Sequence, residues 1–378
     1  MPYPFLGLGF NSWTQKFGRS AADALKLVVG AFFQDSFKGA AFIFDADGTN
    51  PIKVTPSDTS SFDEFALSVA IGNSKIAAGM LGADDGGSGS GSAFVYDLDG
   101  TNEVKLTASD AAAGDNFGSA VAIGNSKVAV GAEYSPSGNQ NGAVYVYNLD
   151  GSGEVKITAS DTATQDNFGT AVAIANNKLY VGASRDDDGG GNTGSVYIYN
   201  LDGSGESKIT ASDAADNALF GCSLATGHDK LVVGASGEVG AVYVYDLDGS
   251  NEVKITASDG ASGDSFGGAV AIGSNKIVVG ANLDDDDGSS SGSAYVYNLD
   301  GTGEVKITAS DAAAGDEFGK SVAVGGNKVY VGASKEDTGA SDSGSVYIYN
   351  LDGSGESKIP NPEGDGNARF GASMALGS

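Results

Sequence analysis

The sequence predicts an all-β protein, a seven-bladed β-propeller of four-stranded antiparallel blades whose ring is closed by pairing of the N- and C-terminal segments. Three observations carry that expectation. A phenylalanine-led phrase recurs through the 378 residues, at Phe17, Phe65, Phe117, Phe168, Phe220, Phe266, Phe318 and Phe370, every 46 to 52 residues. Each full unit holds four short runs in which Val, Ile and Tyr alternate with other residues at period two, the pattern of strands rather than helices. An eighth first run, "FGASMALGS" at 370–378, has no second run after it and is free to complete the first unit. The phrase is Phe-Gly throughout except at Phe65, which Ala66 follows.

The unit at 117–160 shows the elements in order. The first run, "SAVAIG", sets Val121 and Ile123 on one face and Ala120 and Ala122 on the other. Both faces are apolar, so burial on both sides is expected, as for the inner strand of a blade wedged between neighbours. The turn "GNSK" leads to the second run, "KVAVGA", and the third is "GAVYVYNL". "LDGSGE" then supplies an Asp-Gly hairpin signal. In the fourth run Val155 and Ile157 alternate with Glu154, Lys156 and Thr158, which suits a half-exposed outer edge guarded against pairing by its lysine. The propeller is expected to span 17–378 as a single domain, with 1–16 a closing or anchoring segment. "FGRSAADALKLVVG" at the N-terminus is one residue short, and Asp23 interrupts its apolar face, so both chain ends are expected to share the closure.

Composition excludes several classes. Forty-nine acids against 21 bases give a net charge of −28, a surface that repels nucleic acid and anionic lipid. Fourteen of the bases are lysines at two repeat positions, one headed by Lys26 and the other by Lys53, which leaves no basic patch. A single cysteine, Cys222, rules out an internal disulfide framework and any multi-cysteine metal site. No apolar run reaches the ~18 residues of a transmembrane helix, so membrane insertion is not expected. The N-terminus lacks a charged start followed by an apolar core, which suggests synthesis in the cytoplasm without a signal peptide.

Phe-Gly, then "VGA", then "GAVYVY", repeated in phase from Phe17 to Ser378, resembles the FG-GAP repeat of the integrin α-subunit seven-bladed propeller. That resemblance implies a binding or adhesion module. It also implies calcium in an Asp-x-Asp-x-Asp-Gly loop between first and second strands, and here this sequence departs from the pattern. Its connections are "GNSK", "ANNK", "GSNK" and "GGNK", too short to wrap the 6–8 oxygen ligands that calcium takes. No metal is expected there.

Acids gather instead between second and third strands: Asp84 and Asp85; Asp186, Asp187 and Asp188; Asp284, Asp285, Asp286 and Asp287; Glu336 and Asp337. These are the candidate binding residues, and Asp186, Asp188, Asp284 and Asp286 are the places where calcium would bind if a cation binds at all. Adjacent aspartates lack the alternating spacing that converges on one ion, so solvated loops are the plainer reading. Other repeated groups read as structural. Asp47, Asp99, Asp150, Asp202, Asp248, Asp300 and Asp352 suit their hairpins. Asp110, Asp115, Asp311 and Asp316 can bond backbone amides in the blade connections. Tyr145, Tyr147, Tyr197, Tyr199, Tyr243 and Tyr245 read as blade packing, not sugar platforms. His228, the one histidine, sits in a turn, and no nucleophile with a base breaks the repeat. The expectation is therefore not an enzyme and requires no cofactor. It is a binding propeller whose unequal loops (32–39, 80–91, 281–291, 334–343) meet a protein partner in a larger assembly or a host-surface receptor. The final location is expected to be a virion surface, as a phage or viral capsid decoration or tail-associated protein. The alternative is a bacterial cell surface or the extracellular medium, as an adhesin exported non-classically. A glycan-binding propeller is a further alternative.

Overall fold

The computed structural model describes residues 25–135 and 141–378. Seven antiparallel sheets of four strands each follow one another, every blade ordered first to fourth strand from inside outwards. Blade 3 is typical: Phe117–Gly124, Lys127–Ala132, Ala143–Asn148 and Val155–Ile157. Blade 1 is built from both ends of the chain. Its inner strand is Ser373–Gly377, which pairs antiparallel with Lys26–Ala31 in the register Leu27 with Leu376 and Val29 with Met374. The C-terminal strand thus supplies the closure. The N-terminal candidates, the Phe17 copy and the 1–16 segment, lie outside the described residues. Among the described residues the one helical turn, Gln34–Phe37, contains left-handed Asp35 and Ser36.

The first strand meets the expected burial only in part: Ala120, Val121 and Ala122 are buried and Ile123 is half-buried. Second and third strands are the doubly buried ones: in Lys127–Ala132 and Ala143–Asn148 all but the terminal Lys127 and Asn148 are buried. The first strand of blade 5, Phe220–Gly227, is only half-buried beyond Gly221, and those of blade 6, Ala269–Gly273, and blade 1, Ser373–Gly377, are half-buried throughout. Seven inner strands cannot fill the space at the axis, so a channel remains that Ala225, Val270, Val322 and Met374 help to line.

Why the phrase repeats is visible at the joints between blades. Phe168 places its ring edge-on against Tyr197 and Tyr199, at centroid distances of 5.4 and 6.1 Å. Its amide donates to the Asn141 carbonyl of the preceding blade at 3.0 Å. Gly169 follows at φ +95, a left-handed conformation that costs a side chain 1–2 kcal/mol, and its carbonyl reaches Gly131 of the preceding blade. A Cβ on Gly131 would stand 2.2 Å from that oxygen. Phe-Gly in one blade and "VGA" in the one before are the two halves of a single close contact.

Polar repeats latch the outer edge. Glu206 accepts from both the backbone amide and the hydroxyl of Ser160 in the preceding connection, at 3.1 and 2.5 Å, and from Tyr199 Oη at 2.9 Å. Glu103, Glu154, Glu252, Glu304 and Glu356 make the same pair of bonds to Ser57, Ser109, Ser212, Ser258 and Ser310.

Candidate functional site

Antiparallel order puts the first-to-second turns and the third-to-fourth hairpins at one rim. The second-to-third loops and the blade connections lie at the other. The first rim is uniform. Asn125 and Ser126, at φ +51 and +58, form a two-residue turn with both residues left-handed, the form whose twist matches a hairpin. His228 stands at the same position with φ +51, and its Nε2 accepts from the Asn275 amide at 3.3 Å, as Asn73 Oδ1 accepts from Ser126 and Asn125 Oδ1 from Asn177. Histidine here does the work of asparagine in linking neighbouring turns. In each Asp-Gly hairpin the aspartate accepts from the amide and hydroxyl two residues on; Asp150 to Ser152, at 3.0 and 2.6 Å, is representative.

The second rim carries the candidate acids, and the structure gathers several of them around the fourth-strand lysines. Lys208 Nζ lies 2.9 Å from Asp161, 2.8 Å from Asp186 and 2.5 Å from Asp188. Lys306 Nζ repeats this with Asp259, Asp284 and Asp286 at 2.7, 3.1 and 2.5 Å. Lys358 holds Asp311 and Glu336, and Lys105 holds Asp58 and Asp85. Each ammonium lies over a third-strand ring, 5.1 Å above Tyr197 in blade 4 and 5.7 Å above Phe94 in blade 2. Tyr197 Oη donates towards Asp161 and Asp186 at 2.8 and 2.7 Å. Burial alone would lower the Lys208 ammonium, but its bonds to Asp186, Asp188 and Asp161 outweigh that and raise it above the ordinary lysine range. Asp161, though burial pushes it up, ends below the usual carboxylate range because of Lys208 and Tyr197.

The three oxygens of Asp161, Asp186 and Asp188 that could close on a cation therefore already surround an ammonium. Asp284 and Asp286 are in the same position. Of the other candidates, Asp84 accepts from the Gly89 amide at 2.9 Å and Asp337 from the Asp342 amide at 2.7 Å, while Asp187, Asp285 and Asp287 are exposed. Asp115 and Asp316 cap the amides of Ala112 and Ala313 at 3.0 and 2.8 Å, as the connection acids were expected to do. Asp110 and Asp311 instead pair with Lys156 and Lys358. Sequence reasoning treated the fourth-strand lysine as an edge guard and missed the cluster. The available signal was register: Lys156 sits directly across from Tyr145, one residue position in every unit. The tyrosines are buried packing residues, Tyr145 at 0% and Tyr243 at 4% exposure. Cys222 is half-buried on a first strand, its Sγ 3.3 Å from Ser236 Oγ, and burial pushes its thiol up.

Blade 1 adds an aromatic projection to this rim. Phe33 meets Phe37 edge-on at 4.8 Å, Phe37 stacks on Phe62 at 5.2 Å, and Phe62 is 66% exposed.

A ring of seven repeated blades with one uniform rim and one varied rim defines a propeller scaffold of the binding or adhesion class. The FG-GAP repeat family matches the chain at residues 49–96, 101–147, 152–199, 204–245, 250–297 and 302–349; the chain belongs to that family. Each matched repeat runs from the fourth strand of one blade through the third strand of the next. Covalent continuity thereby staples six joints, and the unmatched ends supply the fourth strand of blade 7, Ser357–Pro360, and the first three strands of blade 1. Comparison with curated proteins finds no significant match. Among the described residues no helix is long and apolar enough to cross a membrane.

Proposed function

We propose that the chain is a non-catalytic binding module that engages a protein partner through the loops of its varied rim. The observation that carries this is the contrast between the rims. The repeated polar groups of the framework are engaged with one another, while the second-to-third loops differ in length, charge and aromatic content from blade to blade. A rigid scaffold with unequal loops on one side is built for recognition. The repeated lysine clusters are structural in this reading: Lys208 and Lys306 supply the positive charge at their carboxylates, and calcium is not required. The setting is an exposed surface, of a virus particle or of a cell, where a net charge of −28 keeps the protein soluble and off nucleic acid and anionic lipid. Replacing loops 80–91 and 281–291 one at a time by the five-residue blade 5 loop "SGEVG" tests it. Loss of partner capture from the native source with an unchanged melting temperature supports the reading. Capture that survives every loop replacement and is lost through the Asn-Ser turns instead overturns it.

A further inference from the structure

Blade 5 lacks what its neighbours share. Its second-to-third loop is the short stretch 236–240, which returns no acid to the fourth-strand lysine. Among the described residues Lys254 pairs with Asp213 alone, at 2.5 Å, and its side chain is 41% exposed, against 21% for Lys208 and 23% for Lys306. A lysine ammonium has three N–H donors; Lys208 and Lys306 each meet three carboxylates. A second acid is missing as well. Two residues before the Phe of blades 4 and 6 stand the buried Asp166 and Asp264, and blade 5 has Ala218 there. At the start of the third strand, where Ser345 donates to Glu336 at 2.7 Å, blade 5 has Ala241.

These losses leave a recess of about 140 Å³. Ala218, Ala235 and Val239 form its apolar wall, and Tyr243, Lys254 and Asp213 its polar end. Two more acids border it, Asp216 and Glu238. Asp216 is turned to the preceding blade, where its Oδ1 accepts from the Gly191 amide at 3.0 Å. Tyr243 Oη donates to Asp213 at 2.7 Å, and Lys254 Nζ stands 5.5 Å from the centre of its ring. The polar end is thus the same lysine, tyrosine and connection aspartate that hold Asp186 in blade 4 and Asp284 in blade 6, without the loop acid.

We propose that the blade 5 recess is a binding site for a carboxylate on a protein partner, an exposed Asp or Glu side chain that takes the place of the missing loop acid beside Lys254 and Tyr243. This rests on the binding-module reading and names its chemistry. A protein carboxylate is favoured over a free acid because Val239, 47% exposed at the mouth, offers an apolar edge to the residue next to the acid. Distant charge is screened beyond ~8 Å at physiological ionic strength. Of the acids that line the recess, Asp213 is paired with Lys254 and Asp216 with the Gly191 amide, while Glu238 opposes an incoming carboxylate. Docking therefore rests on the Lys254 N–H donors beyond the one that Asp213 takes.

The test is an NMR titration of the whole chain at physiological salt with N-acetyl-glutamate N-methylamide, its side-chain methyl ester, and N-acetylneuraminic acid. Saturable shifts of the Ala218, Gly237 and Val239 amides are expected with the glutamate amide, at a Kd of about 1 mM, and not with the ester. Lys254→Gln should weaken them by about tenfold or more. Replacing 236–240 by the blade 4 sequence 184–194, which brings its own acid, should abolish them while the remaining spectrum is kept. No saturable shift, equal shifts with the ester, shifts unchanged in Lys254→Gln, or a response to the sugar acid alone would each overturn the proposal. Partner capture that survives Lys254→Gln but is lost on replacing other loops would overturn it while leaving the binding-module reading intact.

Discussion

The two rims of the ring are made from the same repeat and have opposite characters. At one, the turn Asn125-Ser126 and its counterparts are held at fixed left-handed φ values and bonded to their neighbours, so there is nothing left to vary. At the other, the loops range from the five residues of 236–240 to the aromatic projection of 32–39. Both rims bond neighbouring blades, the second through contacts such as Phe168 to Asn141 and Phe220 to Thr193, but only at the second do the connecting segments differ in length and composition. Recognition is therefore expected at the rim whose loops differ.

The largest expected effect sharpens that contrast from the constrained side. Gly182 faces the Gly221 carbonyl of the next blade, and a Cβ there would lie 2.0 Å from the oxygen. Backbone cannot give way as a side chain can, so Gly182→Ala should cost about 3 kcal/mol, read as a large drop in melting temperature.

On the varied rim, stability should depend on pH. Burial first, then the charges of Asp186 and Asp187, push Asp166 up to about 6 from an ordinary 3.8. A carboxyl raised by folding holds its proton more tightly in the folded state. Its contribution is fully present below the unfolded value and is lost as pH rises through the folded one. Thermal unfolding should therefore show a gain on going from pH 7 to pH 5. Asp166→Asn, which keeps the acceptor for the Ala163 amide, should stabilise the protein by about 1 kcal/mol at pH 7 and flatten that dependence. Asp161, lowered in the folded state by Lys208 and Tyr197, works oppositely, with its stability lost as pH falls below the unfolded 3.8.

Smaller effects belong to the outer edge and to the lapse in the repeat. Glu206→Ala removes the acceptor of Ser160 and Tyr199 and should cost about 1 kcal/mol in a denaturant titration. Ala66 adopts φ +69 where the other units have glycine. Relief of that strain exceeds the loss of one buried methyl, so Ala66→Gly should raise stability by about 0.5 kcal/mol.

Much of the framework was legible from the sequence because each of its rules is local. Period-two runs mark the strands, Asp-Gly marks the hairpins, and the orphan run at 370–378 marks the closure. The clusters on the varied rim were not, because each draws on three segments: Lys208 meets Asp188 across 20 residues and Asp161 across 47. Every member had a sufficient local role, the lysine as edge guard and the aspartates as solvated loop, so nothing in the chain demanded a partner. The inner strand was misjudged in part, Ala120, Val121 and Ala122 being buried but the strands of blades 5, 6 and 1 largely half-buried, for a similar reason. Alternating Val and Ala look alike whether the small face meets a neighbouring blade or the open channel.

The central claim, that recognition lies on the varied rim, is tested most directly by hydrogen exchange on the chain alone and bound to the partner captured from its native source. Protection confined to loops such as 80–91, 236–240, 281–291 and 334–343, with the Asn125-Ser126 and Asp-Gly turns unchanged, is the predicted result. Protection confined to those turns or to the first strands lining the channel would contradict it.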